Sequence, residues 1–162
     1  VESTIVDLSV KQATILRPGA VTADQVSSVL EEKVIDPTGP ISLAANIAPK
    51  APGMKYRHYA PSKAVVIFNQ TDLKDLKQQL KKNDAVVALE DSLNQLKLDR
   101  RHSWSLGETA DSATEELFSA LRFFDDQKDI QTIYVESLPS EGIGEAYMNR
   151  LEKSAGGQHF GL

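Results

Sequence analysis

Apolar positions alternate with polar ones at the start of the chain and run together after residue 63. Ser3 to Leu8 alternates and carries the β-branched Thr4, Ile5 and Val6. Ala13 to Leu16 repeats the pattern, so the pair predicts a hairpin, ended by Arg17-Pro18-Gly19. Thr22 and Gln25 have the spacing of a capping box, and Val26, Val29 and Leu30 give an apolar helical face running to about Val34. Farther on, Ala64 to Phe68 (A-V-V-I-F) and Ala85 to Leu89 (A-V-V-A-L) are continuous apolar runs, as in parallel strands covered on both faces. Leu73, Leu76 and Leu80 follow the first run at helical spacing. Asp91 to Leu98 predicts a short helix or turn, and Trp104 to Leu106 a short strand. Asp111 is placed to cap a helix with Leu117, Phe118, Leu121 and Phe124 three and four apart. Thr132 to Val135 is a further strand, and Gly142-Ile143-Gly144 opens a helix holding Ala146, Tyr147, Leu151 and Ala155, with Gly156-Gly157 as its stop. The tail from Gln158 to Leu162 is expected to fray.

Strands alternating with helices imply a parallel, three-layer α/β domain over about residues 63–158. The strand–strand–helix piece before it is too small to bury a core alone and reads as the end of a larger domain. Val1 in place of a methionine, followed at once by strand-like residues, adds to the expectation of a fragment.

Between these parts the pattern is broken by proline. Pro37, Pro40, Pro49, Pro52 and Pro61 are five of the seven prolines in the chain, which excludes a long helix or a central strand there. The same region holds Ile41, Leu43, Ile47, Met54, Tyr56 and Tyr59, so it has apolar groups to pack and reads as an ordered, functional linker. Its end, K-A-P-G-M-K-Y-R-H-Y-A-P from Lys50 to Pro61, combines three cations, two tyrosines and a histidine with no acidic residue. In a chain of net charge −5 such a segment is suited to meet an anion.

Composition narrows the function classes. Residues 1–62 carry six Lys+Arg and six Asp+Glu, whereas 63–162 carry twelve and seventeen, so the second part offers no evident nucleic-acid surface. Nothing approaches the roughly 20 apolar residues of a membrane span, and no signal peptide is visible. The lack of cysteine excludes disulfides and thiolate metal sites and fits the cytoplasm, where we expect the protein to reside. His58, His102 and His159 are too scattered for a metal set, so no protein-bound metal is expected. No G-x-S-x-G elbow, P-loop, kinase signature or cysteine nucleophile is present. Arg17 emerges at a strand end and can offer a planar fork to phosphate or carboxylate, although on its own it reads first as a surface arginine. The adjacent hydroxyls of Ser3 and Thr4 say nothing by themselves. Gly142-Ile143-Gly144 fits a helix-start turn better than an anion cradle, because the dinucleotide fingerprint needs a third glycine where Tyr147 stands.

Taken in order, V-E-S-T-I-V-D-L, I-L-R-P-G-A-V-T, A-P-G-M-K-Y-R-H-Y-A-P and G-I-G-E-A-Y-M-N-R-L closely resemble the long form of the YrdC-type threonylcarbamoyl-adenylate synthases. The linker motif is the specific one. The resemblance implies residues 1–36 as the C-terminal end of the YrdC-like catalytic domain, 37–62 as interdomain linker or lid, and 63–162 as an accessory, Rossmann-like α/β domain. It further implies an enzyme that makes threonylcarbamoyl-AMP from threonine, bicarbonate and ATP, with release of pyrophosphate, in service of a transfer-RNA modification. ATP would be a substrate accompanied by Mg2+, and a downstream tRNA-modifying transferase would be a partner. Carried over by position, Ser3 would contact threonine, Arg17 the nucleotide phosphate, and Tyr56 would fold over the active site with Lys55, Arg57, His58 and Tyr59 around it.

The resemblance places the K-x-R and S-x-N active-site motifs of that family, which hold most of the ATP and threonine contacts, upstream of these residues. No catalytic residue is therefore assigned here, and the 162 residues alone are expected to be inactive. The competing reading is a non-catalytic regulatory module whose α/β domain binds a nucleotide or partner at its strand ends.

Overall fold

The computed structural model describes residues 3–36 and 60–161, so the linker residues Lys55, Tyr56, Arg57, His58 and Tyr59 lie outside the described residues. The first part begins with an antiparallel pair, β1 (Ile5–Asp7) and β2 (Thr14–Arg17), followed by helix α1 (Ala23–Leu30). Thr22 and Gln25 form the capping box that their spacing predicts. The helix ends four residues earlier than expected. Glu31 takes a left-handed conformation (φ 55°), and the polar Glu31-Glu32-Lys33 interrupts the apolar face. Val34 and Ile35 instead run parallel to β2, with Ile15 N–H donating to the Ile35 carbonyl and Ile35 N–H to that of Ala13, both at 2.8 Å. Ala13, Ile15 and Val34 close a small buried cluster against Val6, Ala23 and Val26.

From residue 64 the chain builds a parallel four-stranded sheet from β3 (Ala64–Phe68), β4 (Asp84–Ala88), β5 (Ser103–Ser105) and β6 (Thr132–Glu136), in the order β3-β6-β4-β5. Helices α2 (Leu73–Gln79) and α3 (Glu90–Leu96) cover one face, where Leu73, Leu76 and Leu96 pack on Phe68, Val86 and Ala88. Helices α4 (Ala110–Asp125) and α5 (Ile143–Ala155) cover the other, over Val65, Ile67, Ala85, Val87, Ile133 and Val135. Alternate residues of the apolar runs thus feed two cores, which is why the runs show no polar face. Right-handed crossovers place helices on opposite faces when the chain reverses its direction across a sheet, as it does after β5. The expected three-layer α/β architecture is therefore observed.

Two further local expectations are corrected. The cap of α4 is Thr109, whose hydroxyl accepts from Ser112 N–H at 3.2 Å, and Asp111 lies exposed in the first turn. The tail does not fray through residue 160. Ile67 N–H donates to the Gln158 carbonyl (2.9 Å), Phe160 N–H donates to the Ile67 carbonyl (2.7 Å), and the Phe160 ring meets Tyr134 edge-on at 6.1 Å. The tail covers the free edge of β3, satisfying backbone groups that an edge strand otherwise leaves open.

The two parts touch along α5. Arg150 of that helix donates to the Pro18 carbonyl at 2.5 Å, and the Glu145 carboxyl lies beside that of Asp36. On the far side of residues 37–59, Ser62 is held by Asp125 through its N–H (2.8 Å) and hydroxyl (2.7 Å), and Lys63 donates to the Ile130 carbonyl (2.7 Å). Both flanks of the linker are thus fastened to the helices on one face of the sheet.

Because the tail contributes two ladder hydrogen bonds and a half-buried aromatic ring, Phe160→Ala should cost about 1–2 kcal/mol in urea unfolding. Removing residues 158–162 should cost more than Phe160→Ala alone. An unchanged midpoint for the truncated chain would show that the tail is laid on the sheet without stabilising it.

Burial, and then the hydrogen bond and charge of Asp36, push the Glu145 carboxyl up to about 7. A carboxyl with a raised folded-state pKa binds more protons folded than unfolded across the interval between the two values. Stability should therefore be fullest below about pH 4.5 and should fall as pH rises towards 7. Melting temperature followed from pH 5 to 8 should show this slope, and Glu145→Gln should flatten it. An equal slope in the variant would place the titrating group elsewhere.

Candidate functional site

The end of the hairpin gathers the polar groups that the sequence singled out. Arg17, the last residue of β2, lies opposite Ile5 in the ladder, and its side chain reaches back to the strand start. Its Nε and Nη2 donate to the Ser3 carbonyl at 3.3 and 3.0 Å, and Nη2 lies 3.4 Å from the Ser3 hydroxyl. Thr4 donates its hydroxyl to the Val21 carbonyl at 2.6 Å, closing the turn that follows β2. Ser3 and Arg17 are therefore neighbours although 14 residues separate them. Ser3 is exposed and Arg17 half-buried. A planar guanidinium beside an exposed hydroxyl suits a ligand that joins a phosphate or carboxylate to a hydrogen-bonding group.

The backbone restricts where Arg17 can point. A residue before proline is confined to extended conformations, and Pro18 fixes its own φ. The Pro18 carbonyl is in turn held by Arg150, which is buried and also donates to the Ala146 carbonyl at 3.1 Å. The sequence reading overlooked Arg150. Its signal was present: with Ala146, Tyr147, Leu151 and Ser154 it follows the three-and-four spacing of the buried face of α5, where an arginine needs a partner. Asp36 and Glu145 were overlooked for a different reason, since no local pattern announces a contact across 109 positions.

At the carboxyl ends of the four parallel strands lies the crevice where open α/β folds place ligands. Here the donors that open α3 are taken by the chain itself. Glu136, at the end of β6, is 2% exposed; its carboxylate accepts from Leu89 N–H at 2.8 Å and from the Ser92 hydroxyl at 2.7 Å. These donors open α3, so an internal carboxylate occupies the place of an external anion. Burial raises the Glu136 pKa, while its Ser92 and Leu89 hydrogen bonds oppose the rise. Gly142-Ile143-Gly144 forms a turn in which Gly142 has φ 57° and Gly144 donates to the Glu141 carbonyl at 3.0 Å. A Cβ at Gly144 would lie 2.1 Å from the Pro139 carbonyl oxygen, so close backbone approach accounts for that glycine.

Among the described residues no three His, Asp or Glu side chains gather in a way that would hold a metal ion, and no helix is long and apolar enough to cross a membrane.

Residues 21–156 match the profile of the family described as threonylcarbamoyl-AMP synthase, C-terminal domain. Over 162 aligned residues the chain is 32% identical to the threonylcarbamoyl-AMP synthase of Pyrococcus abyssi, with 96% of this chain and 46% of the relative covered. The enzyme of the same name from Bacillus subtilis is 32% identical over 168 residues, covering 98% of this chain and 46% of the relative. Among solved structures, P. abyssi Sua5 in complex with L-threonine superposes with a TM-score of 0.77 at 30% identity, over 98% of this chain and 46% of that one. A variant of that protein with an adjacent histidine and tyrosine both changed to alanine gives 0.76 at 28% identity, with the same coverage. The chain thus spans a little under half the length of these relatives. With most of its residues inside one family profile, and with the hairpin as well as the sheet matched in the solved structures, the chain belongs to the threonylcarbamoyl-AMP synthase C-terminal domain family.

Proposed function

We propose that these residues are the C-terminal part of an enzyme that makes threonylcarbamoyl-AMP from threonine, bicarbonate and ATP. The observation that carries this reading is the superposition over 98% of the chain on a threonine-bound relative, which takes in the hairpin with its Ser3–Arg17 contact. In this reading residues 1–36 end the catalytic domain, 37–62 form the linker or lid, and 63–162 are the accessory domain. Exposed Leu8, Val10, Val29 and Ile35 on the first part supply apolar surface for the remainder of the catalytic domain to cover.

The chemistry asks for positioning and charge neutralisation. Bicarbonate gives up water to yield CO2, and the threonine amine adds to that carbon and loses a proton to give a carbamate. A carbamate oxygen then attacks the α-phosphorus of ATP, and the bond to the bridging oxygen breaks to release pyrophosphate. Ser3 offers its hydroxyl to threonine, and the Arg17 fork bears on the nucleotide phosphate, where a delocalised cation stabilises charge as the bond breaks. Magnesium would arrive as the counter-ion of the triphosphate, and none of the residues named here is assigned to hold it. Tyr56, with Lys55, Arg57, His58 and Tyr59, closes over the mixed anhydride and keeps water from it. His58-Tyr59 is the sole His-Tyr dipeptide of this chain, and such a pair was the one changed in the archaeal variant. The product would serve a tRNA-modifying transferase in the cytoplasm.

The full-length protein should release pyrophosphate only when threonine and bicarbonate are both present. Arg17→Ala should raise the KM for ATP roughly tenfold to a hundredfold, the value of a charged hydrogen bond of about 1.5–3 kcal/mol. Pyrophosphate release independent of threonine would overturn the assignment.

The lid is tested separately. Tyr56→Ala in the full-length enzyme should lower turnover by at least about tenfold with little change in melting temperature, with Tyr56→Phe intermediate. Unchanged turnover with a lowered melting temperature in both variants would reduce the linker to a tether.

A further inference from the structure

We infer that Arg150 is a positioning residue for the nucleotide site, acting from the accessory part of the chain through the Pro18 carbonyl on Arg17. The inference rests on the reading of Arg17 as a phosphate contact given above.

Arg150 is 6% exposed, and its Nη1 is shared between the Pro18 carbonyl and the Ala146 carbonyl one helical turn back. The second contact holds the guanidinium against its own helix, so its position follows that of α5. The helix is fixed to the sheet at several points. The Tyr147 hydroxyl donates to the Glu136 carbonyl at 2.7 Å, Gly144 abuts the Pro139 carbonyl, and Leu151 and Ala155 lie in the larger core. A donor carried on such a support is a fixed point in space.

The acceptor is placed where fixing it matters. Pro18 has a locked φ, Arg17 before it is confined to extended conformations, and Gly19 after it is buried. Pinning the Pro18 carbonyl therefore leaves the Arg17 backbone little freedom to turn, and the side chain is steadied at its other end by the Ser3 carbonyl. An arginine that merely satisfied its own charge could take any carbonyl within reach. This one takes the carbonyl of the residue next to the proposed phosphate contact, on the other side of a contact between the two parts of the chain. The same helix carries Glu145, which meets Asp36, the last described residue before the linker. The stretch of α5 from Glu145 to Arg150 thus meets the root of the linker at one end and the hairpin turn at the other.

The test uses the full-length enzyme with ATP as the varied substrate. Arg150→Met should raise the KM for ATP about fivefold to tenfold while changing kcat much less, with Arg150→Lys between it and the parent. In an Arg17→Ala background, Arg150→Met should change the KM for ATP by less than about twofold, because the group it aims is gone. Multiplying effects in the double variant, or an unchanged KM with a lowered melting temperature, would overturn the inference and leave Arg150 a stabilising contact. Should Arg150→Met not fold, the cycle is run with Arg150→Lys, which keeps a donor but loses the planar fork. Hydrogen exchange in the same protein separates this inference from the reading on which it rests. Arg150→Lys should speed exchange across residues 17–22 relative to residues 5–7, whether or not the parent releases pyrophosphate. No local change in exchange would refute the positioning role even with the enzyme active, and a parent lacking threonine-dependent pyrophosphate release would refute the functional reading alone.

Discussion

The structure turns on the end of β6, where Glu136 joins three elements. Its carboxylate takes the Leu89 N–H and the Ser92 hydroxyl at the opening of α3, and its backbone carbonyl takes the Tyr147 hydroxyl of α5. One residue thereby ties the central strand to a helix on each face of the sheet. The arrangement is under electrostatic tension: burial favours the protonated acid, while its hydrogen bonds favour the carboxylate. The Tyr147 hydroxyl is kept protonated, its pKa pushed above the ordinary phenol value by burial and then by the nearby Glu136 charge. A protonated phenol donates, and the Glu136 carbonyl accepts. Leaving any of these buried partners unpaired would cost about 1–3 kcal/mol, which makes the knot a strong determinant of where α5 lies.

That placement explains how a sheet whose α3 donors are engaged by its own Glu136 can still bear on function. A doubly covered parallel sheet usually offers its ligand site beyond the strand ends. Here Glu136 and its donors take the space at α3, and the Gly142–Gly144 turn spends its close approach on the Pro139 carbonyl. What the helical layer presents to the first part of the chain is α5, whose Arg150 and Glu145 meet Pro18 and Asp36. On the proposed reading, the accessory part acts as a rigid support for the last strands of the active site and for the root of the lid. A support must be stiffer than what it holds. The two cores of the sheet, with Phe68, Leu76, Leu117, Phe124 and Ile133 all fully buried, meet that requirement better than the small cluster of Ala13, Ile15 and Val34.

The legibility of the sequence follows the range of the interactions. The strands of the sheet were readable because continuous apolar runs have few other uses, and the capping box of α1 because it is closed within four residues. The end of α1, the cap of α4 and the tail were misjudged where a local signal met a longer-range competitor. Val34 continues the apolar periodicity of a helix, yet it gains a partner strand and a buried position by leaving it. Asp111 is as good a cap residue as Thr109, but Thr109 is the one in a reciprocal pair with Ser112, which donates its N–H to the Thr109 hydroxyl and accepts the Thr109 N–H on its own. The tail carried no apolar period, and what orders Gln158 to Phe160 is the open edge of β3 together with the Phe160 ring against Tyr134. At the site, Ser3 and Arg17 were each singled out by family motifs, since spacing alone left Arg17 a surface residue, and the contact between them across the hairpin was not foreseen.

A charge on a buried helix face is the one signal from which the contact between the two parts of the chain could have been read. Arginine is seldom buried without a partner, so Arg150 at the spacing of Tyr147, Leu151 and Ser154 predicts an acceptor that its own helix does not fully provide. The Ala146 carbonyl is already engaged in the turn of the helix, which leaves the guanidinium a need for a second, uncommitted carbonyl. A carbonyl in a turn after a strand meets that need, because residues leaving a ladder have lost their pairing partner. Pro18 is such a residue, and its own lack of an N–H makes the loop around it poorer in internal hydrogen bonds. The contact between the two parts of the chain therefore matches an excess of donors on one to a deficit on the other. This complementarity is directional: it holds at one register of α5 against the hairpin turn and would be lost by a shift of a single helical turn, about 5.4 Å.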